Sequence, residues 1–159
     1  MYLVSVAIFI VAAAALLFYL QAACEEILLR RAHEEFYHSI VNANRLEFPF
    51  VRAAVEEYDA PVDYGRFRMQ LKCDFLALTY LLKNAVNSTQ RLSRDEKRLV
   101  LYFRSLFLLL AVSHLAGVGE RLLILKLTSV LQFFSNVLGE RVSKMRFGDI
   151  SASEYLLSL

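Results

Sequence analysis

Residues 1–24 read MYLVSVAIFIVAAAALLFYLQAAC, and the fold follows from how that stretch is understood. It holds no Asp, Glu, Lys, Arg or His, and only Ser5 and Gln21 fall outside the hydrophobic set. A helix rises ~1.5 Å per residue, so about 20 apolar residues cross the ~30 Å hydrocarbon layer of a bilayer. The stretch is long enough to do so. A cleavable signal peptide needs a positive n-region, and no Lys or Arg precedes this run. A lipoprotein signal would use Leu20-Gln21-Ala22-Ala23-Cys24, but Gln21 sits where an aliphatic residue is usual. A retained membrane helix is therefore expected over 1–24. Arg30 and Arg31 follow it and no basic side chain precedes it. The excess of Lys and Arg on the cytoplasmic side of spans then predicts a single-pass protein, N-terminus outside and remainder cytoplasmic.

The same stretch explains the bulk composition. The chain of 159 residues is 57% hydrophobic, against about 45–50% for a soluble domain. With 1–24 set aside, the remainder is about half hydrophobic and carries every charged residue. Five Gly, two Pro and 13% aromatics exclude a disordered chain. Two cysteines, Cys24 and Cys73, exclude a disulfide scaffold. Eighteen basic residues against sixteen acidic ones give no basis for nucleic-acid binding.

Beyond the span, no Gly or Pro occurs before Pro49, so a helical extension is expected over 25–44. A bundle domain should occupy 45–159. Within it, Pro49 suits the first turn of a short helix over about 50–58. Asp63 can cap a helix over about 64–86, in which Phe67, Leu71, Phe75, Leu78 and Leu82 recur at spacings of three and four. Ser93-Arg94-Asp95-Glu96 is a capping box opening a helix to about Ala116, and Gly117 and Gly119 bracket the next turn. Its apolar run Ser105–Val118 is too short to span and reads as a buried core helix. A last long helix should cover about 119–146 and end at Gly148-Asp149, with Ser151-Ala152-Ser153-Glu154 capping a short final one. No alternating strand pattern or hairpin turn is present. The expected fold is all-α: one N-terminal transmembrane helix continuing into a small antiparallel bundle of three or four helices.

Candidate chemistry is sparse. Glu35 and His38 form Glu-x-x-His, whose two side chains share a helix face and serve as ligands in di-iron bundles. A complete site needs a second such motif, and Ala111 stands three before His114, so none exists. A solvated turn just past the membrane is the plainer reading, and no metal or other cofactor is expected. His114 suggests a haem ligand or, more plainly, a core histidine bonded to a backbone carbonyl. Cys24 reads as a small interfacial apolar residue, with palmitoylation as the functional alternative; Cys73 reads as structural. Asn87-Ser88-Thr89 matches a glycosylation acceptor that a cytoplasmic domain would not use. Neither phosphate-binding glycine loop nor Gly-x-Ser-x-Gly elbow occurs.

Two features point to partners. Ala12 and Ala15, within four consecutive alanines, are small enough to let another membrane helix approach. Phe103, Phe107, Phe133 and Phe134 belong to a wider apolar arc than a small bundle easily buries, and are expected at a partner surface. The function expected is that of a non-catalytic, membrane-anchored accessory, assembly or scaffold subunit. It would contact other subunits or a second copy, and membrane lipids. The alternatives are a metal- or haem-associated electron-transfer subunit using Glu35 and His38, or a tethered regulator that recruits a soluble partner.

Overall fold

The computed structural model describes residues 2–30, 37–57, 63–84, 92–117 and 119–157, with side chains except at Leu3 and from 145 onward. The described residues form six helices and no strand: α1 (Tyr2–Arg30), α2 (Tyr37–Asn44), α3 (Phe48–Glu57), α4 (Tyr64–Asn84), α5 (Arg94–Ala116) and α6 (Glu120–Leu157). The glycosylation triplet, Glu35 and most of the turn around it lie outside these residues.

The core is built around α6. From Val130 to Gly139 every residue except Gln132 is buried. That burial takes in the polar Ser135 and Asn136 as well as the apolar residues, and α2, α3, α4 and α5 all pack on the helix. Leu127, Leu131 and Phe134 are fully enclosed. The neighbours run antiparallel where paired side chains fix their direction. Phe75 of α4 stacks on Phe103 of α5 with ring centroids 4.0 Å apart, and Tyr64 at the start of α4 stacks on His114 near the end of α5. Arg52 of α3 donates to Gln132 at 2.8 Å, while Arg121 reaches back to the Val55 carbonyl at 2.9 Å.

The local signals in the chain form as expected. Ser93 Oγ accepts from the Glu96 N–H at 3.2 Å, and the Glu96 carboxylate accepts from the Ser93 N–H at 3.1 Å. Gly117 closes α5 in the left-handed conformation at φ 70°, which a residue without Cβ adopts at no steric cost. Asp63 Oδ1 accepts from the Arg66 N–H at the head of α4. One boundary differs. The backbone of α6 stays helical through Gly148, Asp149 and the second capping-box match. A helical glycine costs only about 1 kcal/mol relative to alanine, too little by itself to end a long helix.

Two buried carboxylates set how the helices meet. Glu96 presents its second oxygen to Arg141 of α6 at 2.5 Å, so one side chain caps α5 and ties it to α6. Asp74, buried on α4, accepts from the N–H groups of Glu47 and Phe48 at 2.9 and 2.7 Å. It thereby caps α3 from another helix, satisfying donors that a helix start leaves without internal partners. Burial pushes the Asp74 carboxyl above its ordinary value of 3.8, against the lowering pull of the Phe48 and Glu47 N–H donors.

Three outcomes follow. Leu131→Ala costs ~2–5 kcal/mol by opening a cavity in the centre of the bundle, whereas Leu122→Ala, at an exposed position, changes stability by less than ~0.5 kcal/mol; chemical denaturation in detergent measures both. Asp74→Ala leaves two N–H groups without an acceptor and costs ~1–3 kcal/mol. A folded carboxyl with a raised pKa binds more protons than the unfolded one. Its contribution is therefore greatest below the unfolded value and is lost as pH rises through the folded value. Melting curves from pH 3.8 upward should accordingly show the wild type losing stability relative to Asp74→Asn.

Candidate functional site

Where α1 leaves its apolar stretch it meets α5 and α6. Cys24 is fully buried there, its Sγ 3.9 Å from the Arg98 carbonyl oxygen of α5. One residue on, Glu25 pairs with Lys126 of α6 at 2.9 Å and accepts from Gln21 at 3.1 Å. These contacts seat the end of α1 on the bundle and leave an open pocket of about 620 Å³ between α1, α2, α3, α5 and α6. Its walls are apolar at Leu28, Leu29, Pro49 and Phe133. Two charge pairs rim it: Glu25 with Lys126, and Arg52 with Glu56 at 2.9 Å. Tyr102 and Asn136 also line it, and the Tyr102 hydroxyl and Asn136 Oδ1 are buried without a hydrogen-bond partner among the described residues.

Each rim cation is neutralised by a carboxylate, and the lining residues include no His or Cys. Among the described residues no group of three or more His, Cys, Asp or Glu converges on a metal-sized space.

The residues singled out in the sequence are dispersed. Glu35 lies outside the described residues; His38 is exposed, its ring 4.0 Å from that of Tyr37. His114 is not the core histidine expected from its apolar surroundings. It is half exposed, its Nδ1 2.7 Å from Glu120 Oε1 across the α5–α6 turn, and its ring lies flat on Tyr64 at 3.7 Å. The run Ser105–Val118, expected to be a buried core helix, is buried on one side only: Leu106 and Leu110 are enclosed, while Leu108, Val112 and Leu115 are exposed. Cys24, expected at a lipid interface, is instead a contact between α1 and α5. Cys73, expected to be structural, is exposed.

Ala12 and Ala15 lie exposed on α1. Phe103, Phe133 and Phe134 are core residues, and Phe107 borders the core beneath the Arg68 guanidinium at 5.3 Å. The wide apolar arc of α6 that suggested a partner surface is covered by this chain's own helices. The open apolar surface lies elsewhere: on α1, and on the outer sides of α4 and α5 at Leu76, Leu101, Leu108 and Val112.

Compared with known protein families, curated proteins and solved structures, the chain matches none.

Stability tests the pocket directly. A buried hydroxyl without a partner carries its desolvation cost unrelieved, so removing it is neutral or favourable. Tyr102→Phe should leave the unfolding midpoint unchanged or raise it. A loss above ~1 kcal/mol would mean that the hydroxyl bonds to something in the pocket.

Proposed function

We propose that the chain is a single-pass membrane protein whose helical domain lies in the cytoplasm and acts, without catalysis, as an accessory, assembly or scaffold subunit of a membrane complex. The observation that carries this reading is the contrast between three helices that are all long and apolar enough to cross a bilayer. None of the most apolar window of α1 is buried within the chain, against 28% for α5 and 67% for α6. Apolar surface that the chain does not cover has to be covered by something else, and for an uncharged stretch of this length a bilayer suffices. The middle of α6 already has its apolar partners.

A structural role accords with what the folded domain offers. Its two buried carboxylates, Asp74 and Glu96, are engaged in joining helices. The exposed Ala12 and Ala15 leave room on α1 for a second membrane helix.

Gentle solubilisation of native membranes tests this reading. The expected result is that the chain resists extraction at alkaline pH and, in mild detergent, migrates in a defined particle larger than its own 18.2 kDa plus detergent. Ala12→Leu with Ala15→Leu should break up that particle while leaving the chain in the membrane. A monodisperse monomer from native membranes would overturn the subunit role, and release at alkaline pH would overturn the anchor.

A further inference from the structure

We propose that the outward face shared by α4 and α5 lies on the bilayer surface and is held there by anionic lipid headgroups. This rests on α1 anchoring the chain. The two helices run side by side and antiparallel, joined by the Phe75–Phe103 stack, and both pack on α6. With Leu78 and Leu106 turned inward, the sides opposite α6 point outward together. On that common face stand Leu76 and Tyr80 from α4 and Leu101, Leu108, Val112 and Leu115 from α5, each more than half exposed. The α5 residues recur at seven, four and three positions, one stripe along a helix.

Charge selects the occupant. The chain as a whole is close to neutral at +2, yet this face is not. Lys72, Lys83, Arg94, Lys97 and Arg104 are all exposed around the apolar stripe. The single carboxylate on α4 is the buried Asp74; of the two on α5, Glu96 is buried and Asp95 sits 3.7 Å from Arg98, away from the stripe. An apolar row flanked by Lys and Arg is the pattern of a surface that sits in the headgroup layer, leucines toward the acyl chains and cations at the phosphates. A second copy of the chain is disfavoured, because a two-fold contact would bring the same cations face to face. Position agrees as well: Cys24, the last residue of the apolar span, touches α5 at Arg98, so the basic end of α5 stands where α1 emerges from the lipid.

Cys73 lies within the α4 part of this face between Met69 and Leu76, and it is exposed, whereas Cys24 is fully buried. The folded full-length chain can therefore carry an environment-sensitive fluorophore at Cys73 alone. The probes are vesicles of phosphatidylcholine, with or without one-third phosphatidylglycerol, and a nitroxide quencher on the acyl chain. The expected result is a blue-shifted, quenchable Cys73 label in the anionic vesicles and a water-exposed label in the neutral ones. High salt, or Lys97→Gln with Arg104→Gln, should return it to water. Circular dichroism melting checks that the variant is folded. A label that stays in water in anionic vesicles overturns the proposal, as does equal burial in both vesicle types or shielding in detergent without lipid. Flotation of the same samples reports α1 separately: chains that float with a water-exposed label refute this face and keep the anchor, while chains that fail to float refute both.

Discussion

The middle of α6 is enclosed around nearly its whole circumference, and the burial of its apolar residues sets the arrangement of the rest of the chain. Between Val130 and Gly139 it has almost no side left for water. Four helices close over it, α2 to α5, and the end of α1 is pinned to it by the Glu25–Lys126 pair. The stacked pair Phe75–Phe103, the enclosed Phe134 and the leucines between them are consequences of that enclosure.

Enclosure alone does not set register, because apolar packing tolerates sliding and substitution. The two buried carboxylates supply directional contacts. Glu96 uses one oxygen within its own helix and the other on Arg141. Asp74 reaches across from α4 to the head of α3, where a displacement of one turn would leave two N–H groups without an acceptor. Asp74 and Glu96 thus act where helices join, and the Glu25–Lys126 pair does the same for α1 and α6 beside the pocket.

Features whose cause is local were legible in the sequence. The capping box at Ser93, the left-handed Gly117, the cap at Asp63 and the helix start beside Pro49 depend on residues a few positions apart. Features whose cause lies far along the chain were not. Nothing near Asp74 announces that it caps a helix 26 positions earlier, and nothing near Cys24 announces Arg98. The four phenylalanines show the same limit on the side of function: an apolar arc in sequence marks a need for neighbours without saying whether they come from the chain itself. Gly148 failed as a terminator because its small helix cost carries no directional information. Of the candidate residues, Ala12, Ala15 and His38 lie exposed, and the gathering of cations and leucines on one side of α4 and α5 depends on how the two helices pack.

The same logic separates the three apolar helices. α1 offers its apolar stretch to the outside, α6 consumes its own within the fold, and α5 divides its surface between core and exterior. On this account only α1 crosses the membrane. The most direct test maps the α5–α6 turn at Gly117–Gly119 in intact membranes, by placing a single cysteine at Gly119 in a chain with Cys24→Ala and Cys73→Ser and reacting it with a membrane-impermeant maleimide from either side. The account predicts labelling only from the side of the membrane opposite the N-terminus. Labelling of the turn from the side of the N-terminus would show that α5 and α6 cross as a hairpin, and would contradict a fold built around an enclosed α6.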